Sequence, residues 1–307
     1  MGKTRVSSVR DFFGLEKSTA KRQIVVVGIP WDVTSSYRRG AAAAPDAIRK
    51  ATDARLYNSY TEQGVDLAAR VKVCDHGNAE KARNVIDLKR IISSTIKVHD
   101  HKNAALLFLG GDHFVTFPAF ESAAEFHGQR LSLLYFDAHP DLYEIYEGSL
   151  NSHATVVSRI LSNTNANVGK VGYVGLRAST KEQEDRIAKL DLMKYTSHDV
   201  VEKGYQKICN SLNRMLKNTF VYLSIDLDCL DPAYAPGVGN PQPGGLSSRQ
   251  LFDIIQNLDL EIVAADIVEY SPRCDTNAQT TAFMSAVLIK EIMWAMTKRS
   301  FSLTDTS

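Results

Sequence analysis

Cysteine is scarce. The chain has four in 307 residues, Cys74, Cys209, Cys229 and Cys274, with neither CxxC spacing nor the density of a disulfide-stapled scaffold. That excludes a small secreted fold and points to a reducing compartment, with the thiols as packing groups. Long apolar runs are missing as well. No stretch nears the ~20 apolar residues of a membrane helix, and Met1 to Gln23 is charged and has no long apolar segment of the kind a secretory leader carries. The cytoplasm is the expected setting. The third absence is charge of one sign: the formal net charge is +1 and there is no long Lys/Arg block, so nucleic acid is not an expected partner. No internal repeat or low-complexity linker divides the sequence. A chain of 307 residues with 44% hydrophobic content can bury a large core. We therefore expect a single domain over 1–307, with 1–22 as an N-terminal extension that is either a subunit contact or a frayed tail.

What is present is a recurring alternation. Apolar runs at Ile24 to Val27, Val71 to Val73, Ala104 to Leu109, Leu131 to Phe136, Val171 to Leu176, Phe220 to Ile225 and Ile262 to Val268 read as buried parallel strands, with a weaker candidate at Leu192 to Tyr195. Between them lie helical patterns, such as Leu88, Ile91, Ile92 and Ile96 on one face. Pro45 suits the first turn of a helix through Ala51, and Ser247-Ser-Arg-Gln250 is a capping box for another. Phe283, Met284, Val287, Leu288, Ile292 and Ala295 mark a closing helix from about Thr280 to Lys298. The alternation predicts an open α/β sheet.

Acidic and histidine residues gather where those strands should end, which is where open α/β sheets place their ligand crevice. In Tyr135-Phe-Asp-Ala-His-Pro-Asp141, strand spacing would project Asp137 and His139 to one face, and Pro140 would end the ladder so that Asp141 folds back. In Ser224-Ile-Asp-Leu-Asp-Cys-Leu-Asp-Pro232, Leu223 to Leu227 read as strand and Asp226 and Asp228 share a face. Gly110-Gly-Asp-His113 places His113 at a third terminus. Taken singly, an Asp-x-Asp at a strand end is more often a turn or cap, and Asp112 would be a helix N-cap. Taken together, four Asp and two His suit two metal ions that share bridging carboxylates. The oxygen-rich set favours Mn²⁺ over zinc, with Co²⁺ and Fe²⁺ tolerated. Four negative charges offset two divalent ions and leave room for one bridging hydroxide.

In this order, Gly110-Gly-Asp-His113, Asp137-Ala-His-Pro-Asp141 and Ser224 to Pro232 resemble the motifs of the ureohydrolase family, which includes arginase and agmatinase. The resemblance runs over nearly the whole chain, through the Gly/Pro-rich Pro232 to Gly245 and Asp266-Ile-Val-Glu-Tyr-Ser-Pro272. It implies a three-layer αβα sandwich with a mostly parallel eight-stranded sheet, and a homo-oligomer, trimer or hexamer. It further implies that His113, Asp137, Asp141 and Asp226 share one metal and Asp137, His139, Asp226 and Asp228 the other, with Asp137 and Asp226 bridging. Glu269 would pair with the nitrogens of a guanidinium through charge-assisted hydrogen bonds. His153 in Asn151-Ser-His-Ala-Thr155 would serve the proton transfer that the leaving amine needs. Here the chain departs from the commoner His-Gly pair, and Ala154 could not adopt the positive φ open to glycine.

The Leu142 to Ser152 loop is expected to form one pocket wall, with Tyr143 and Asn151 as substrate contacts. It looks like agmatinase more than arginase. Glu144 and Glu147, with no Lys or Arg between Asp141 and Ser158, would attract a small cationic guanidino substrate. The expected reaction is agmatine plus water to putrescine plus urea. Arginase or another guanidino-acid hydrolase is the alternative, and a non-catalytic metal-binding relative is the reading from a different class.

Overall fold

The computed structural model describes residues 11–163 and 168–299. Every apolar run named above is a strand: β1 Gln23–Gly28, β2 Lys72–Asn78, β3 Ala104–Leu109, β4 Leu131–Phe136, β5 Val171–Leu176, β6 Met193–Thr196, β7 Phe220–Asp226 and β8 Glu261–Val268. They pair in parallel throughout, in the order β2-β1-β3-β8-β7-β4-β5-β6. Ile24 and Val26 join one apolar cluster and Val25 and Val27 the other, and Ala105, Leu107 and Leu109 oppose Ala104, Leu106 and Phe108 in the same way. Both faces of the interior strands are therefore covered, which is why those strands read as largely apolar runs, whereas the edge strands β2 and β6 are only partly buried.

Helices α1 (Ala44–Ala51), α6 (Ser197–Lys203), α7 (Tyr205–Met215), α8 (Ser248–Asn257) and α9 (Thr280–Thr297) contribute to the first cluster. The second is built with α2 (Val85–Ile96), α3 (Thr116–His127), α4 (Val156–Ser162) and α5 (Lys181–Lys189). The result is an αβα sandwich. Pro45 lies in the first turn of α1, and Ser247 and Gln250 cap α8 reciprocally, each satisfying a backbone N–H that the helix start would otherwise orphan. Of the N-terminal extension, residues 1–10 lie outside the described residues, while Phe12, Phe13 and Leu15 are buried in the first cluster. Among the described residues, no helix is long and apolar enough to cross a membrane.

The strand spacing expected to carry on through His139 and Asp228 does not hold. β4 stops at Phe136 and β7 at Asp226, so Asp137, His139 and Asp228 lie in turns and not on a ladder face. The cause is the same at both ends. The Asp137 carboxylate accepts from the His139 N–H at 2.6 Å, and the Asp226 carboxylate from the Asp228 N–H at 2.7 Å. Such side-chain turns compete with continued strand pairing.

Candidate metal centre and active site

The adjacent strands β3, β8, β7, β4 and β5 deliver five loops to one edge of the sheet. His113 follows β3 through Gly111, where a Cβ would lie 1.6 Å from the Trp31 carbonyl oxygen, so only glycine lets the Trp31 segment pass. Asp137, His139 and Asp141 follow β4, Asp226 and Asp228 close β7, and Glu269 follows β8. Asp141 and Glu269 adopt φ of 47° and 63°. Left-handed backbone of this kind costs a residue with a Cβ about 1–2 kcal/mol, and such strain collects at functional positions.

His113 Nδ1 lies 2.9 Å from Asp137 Oδ2, 3.0 Å from Asp226 Oδ2 and 3.4 Å from Asp141 Oδ2. His139 Nδ1 lies 3.0 Å from Asp228 Oδ2 and 3.4 Å from Asp137 Oδ1. All six expected ligands are thus brought together. His113, Asp137 and Asp141 present donor atoms near enough to hold one ion, and Asp137, His139 and Asp228 near enough to hold a second. The electrostatics fit that use. Asp137 Oδ2 is buried and faces the His113 imidazole nitrogen at 2.9 Å. Burial, then repulsion from neighbouring carboxylates, pushes Asp226 and Asp228 up and takes Asp141 to about 7. Burial opposes charge on His113 and His139 too, yet the facing carboxylates prevail and hold both imidazoles well above their ordinary range. Crowded carboxylates compensated only by two imidazole protons are what divalent cations relieve.

A further set of buried groups orients His113. Ser224 Oγ donates to Asp266 Oδ1 at 2.7 Å and lies 2.9 Å from His113 Nε2, so it accepts from Nε2–H and leaves Nδ1 facing the carboxylates. Thr116 Oγ1 and Tyr222 OH both donate to Asp266 Oδ2, at 2.8 and 2.7 Å. Tyr135 stacks on His113 with centroids 4.4 Å apart, and its hydroxyl donates to Asp141 Oδ2 at 2.8 Å. Ser224 and Tyr135 carry no role in the sequence reading, although a serine two residues before Asp226 on an otherwise apolar strand signals a buried polar contact on the same face. Ser224→Ala is expected to weaken metal binding about 10–100-fold, the usual effect of losing a partner behind a ligand. Metal titration of the variant against wild type checks it.

Glu269 Oε1 accepts from the His113 N–H at 2.8 Å, and Glu269 N–H donates to Gly111 O at 2.9 Å, so the two strand ends fix each other. His153 opens a short 3-10 turn, His153–Thr155, capped by Ser152. Its Nδ1 is 3.7 Å from Glu269 Oε1, and its Nε2 is 2.8 Å from Ser36 Oγ. Ala154 lies inside that turn and is not among the residues with positive φ, so the alanine meets no backbone penalty. Burial disfavours a charged His153, but the facing Glu269 carboxylate, with Asp141 and Asp112 behind it, outweighs that and raises the group to about 9. Ser36 was not legible in the sequence. Its loop is tied down by Asp112, whose Oδ2 accepts from Thr34 N–H at 2.9 Å and Thr34 Oγ1 at 2.6 Å. Asp112 therefore anchors a neighbouring loop and does not cap the turn that follows it.

Above these groups opens a pocket with about 140 Å³ of solvent-accessible space, walled by Ser36, Tyr143, Tyr146, His153, Gln183 and Glu269 over His139, Asp141, Asp226 and Asp228. At about 10–15 Å³ per water that is room for a small molecule, not a macromolecule. Tyr143 takes its expected place, 5.2 Å from the Tyr146 ring and with its hydroxyl 3.2 Å from Thr180 Oγ1. Asn151 is exposed and lies outside the pocket lining. Glu144 pairs with Arg186 at 2.5 Å and Glu147 is exposed, and neither is among the residues that line the pocket. No Lys or Arg is among the lining residues.

Comparison with known proteins agrees with this geometry. The Arginase family model matches residues 22–295. Arginase 1, mitochondrial, of Oryza sativa subsp. indica is 34% identical over 91% of this chain and 83% of its own length. An agmatinase of Blochmanniella floridana is 31% identical over 89% and 88%. The crystal structure of agmatine ureohydrolase of Thermoplasma volcanium superposes with a TM-score of 0.81 at 30% identity, covering 95% of this chain and 96% of the other. With the fold, the converging His and Asp side chains and a family match across most of its length, the chain belongs to the arginase family of ureohydrolases.

Proposed function

We propose that the chain is an agmatinase that uses two Mn²⁺ ions to hydrolyse agmatine to putrescine and urea. His113, Asp137, Asp141 and Asp226 would hold one ion and His139, Asp137, Asp226 and Asp228 the other, with Asp137 and Asp226 shared. Bound there, two divalent ions make water a competent nucleophile at neutral pH. The chain's own groups do the rest. Glu269 pairs with the guanidinium nitrogens and turns the carbon toward the ligand cluster. His153, within 3.7 Å of Glu269, delivers a proton to the leaving amine nitrogen as the C–N bond breaks. A C–O bond forms, urea departs with both unsubstituted nitrogens, and the protonated diamine is the other product.

The observation that carries agmatine over arginine is the pocket lining. It offers no lysine or arginine to a carboxylate, whereas the Tyr143 and Tyr146 rings can receive an ammonium group. Similarity to the rice arginase favours arginine as the second reading. With Mn²⁺-loaded protein, kcat/KM for urea release is expected to be at least about tenfold higher for agmatine than for arginine, guanidinobutyrate or guanidinopropionate. A preference for any of the acids would reassign the pocket and keep the chemistry.

A further inference from the structure

Arg177 follows β5 directly, and its guanidinium is given over to main-chain carbonyls. Nη2 donates to Asp228 O at 2.6 Å, Gln242 O at 2.6 Å and Leu230 O at 3.2 Å. Nη1 donates to Gly175 O at 3.1 Å and Cys229 O at 3.3 Å, and Nε is 3.3 Å from both Gln242 O and Pro243 O. The backbone N–H groups of Arg177 and Ala178 both donate to Ala138 O at 2.9 Å, between Asp137 and His139. Ala138 N–H donates in turn to Asp228 Oδ1 at 3.1 Å. Two glycines make room: a Cβ at Gly245 would lie 2.7 Å from Arg177 Nη2, and one at Gly175 would lie 3.2 Å from Asp137 O.

One side chain and its own backbone therefore join the turn carrying His139, the turn carrying Asp228 and the loop that sets Asn240 within 3.3 Å of His139 Nε2. The other half of the cluster is held differently, with His113 fixed by Ser224, Tyr135 and Glu269. We propose that Arg177 is a positioning residue for the ion held by His139 and Asp228 and sets its affinity separately from that of the ion at His113. The inference rests on the two-ion reading above. A planar, five-donor fork can span carbonyls from two chain segments, whereas a lysine ammonium is a point charge and cannot.

The test is Mn²⁺ titration by calorimetry with parallel electron paramagnetic resonance on wild type, Arg177→Lys, Arg177→Ala and the surface control Arg249→Ala. Both Arg177 variants are expected to bind one ion with wild-type affinity and the other about 10–100-fold more weakly, so that at intermediate Mn²⁺ the spin-coupled pair gives way to isolated-ion signals. Arg177→Lys retains the positive charge and covers the case in which Arg177→Ala does not fold. On a His139→Ala background, adding Arg177→Ala should cost no further affinity. Wild-type affinity for both ions, or equal weakening of both, would overturn the assignment. A wild-type protein that binds fewer than two ions would overturn the two-ion reading and this inference with it.

Discussion

Asp137→Asn protein is expected to lose urea release by at least about a hundredfold and to bind its second metal ion weakly or not at all. Asp137 is the residue whose two oxygens face the two histidines, Oδ2 at 2.9 Å from His113 Nδ1 and Oδ1 at 3.4 Å from His139 Nδ1. Removing its charge therefore damages both ligand positions at once, so the loss should exceed the 10–100-fold that follows loss of a single supporting partner. An amide is nearly isosteric, so the sheet and its core should survive. Stability reports this independently of activity. A ligand at 100 times its Kd stabilises the folded state by about 2.7 kcal/mol, so Mn²⁺ should raise the melting temperature of Asp137→Asn clearly less than that of wild type. A variant that melts and turns over like wild type in the presence of Mn²⁺ would remove Asp137 from the centre.

His153→Ala is expected to lower kcat about 10²–10⁴-fold while Mn²⁺ affinity stays at the wild-type value, because the residue supplies a proton and no ligand atom. The imidazole is poised for that use. In the metal-free protein Glu269 raises it, against burial, to about 9, so the protonated form dominates there at neutral pH. The sign for stability follows. A histidine raised on folding contributes stability that is fully present below its unfolded value, near 6.5, and is lost as pH rises through about 9. In a nuclear magnetic resonance titration of the metal-free protein, the His153 ring should titrate near 9 and move toward the ordinary imidazole range in Glu269→Gln. A His153→Ala enzyme with unchanged kcat would assign the proton transfer elsewhere in the pocket.

The strands and the converging His and Asp residues were legible because both leave a mark that needs no tertiary information. Two-sided burial makes β3, β4 and β7 largely apolar runs, and Asp-x-His after β4 together with Asp-x-Asp at the end of β7 has few other reasons to occur in one chain. Even where the local geometry differed, because Asp137 and Asp226 close Asx turns and end their strands, the six side chains still converge. What the sequence could not supply was pairing between distant segments. Strand order decides that β8 lies between β3 and β7, and only then does Glu269 reach the His113 backbone. Ser36 meets His153 across 117 positions, and Arg177 reaches Gln242 across 65. The Glu144 reading misled for a related reason, since its partner Arg186 comes from α5 and not from the loop itself.

The most direct measurement is anomalous diffraction from crystals of the Mn²⁺-loaded protein. Two peaks are expected, one within coordination distance of His113, Asp137, Asp141 and Asp226 and the other of Asp137, His139, Asp226 and Asp228. A single peak, or peaks away from these residues, would contradict the two-ion centre from which the proposed chemistry follows.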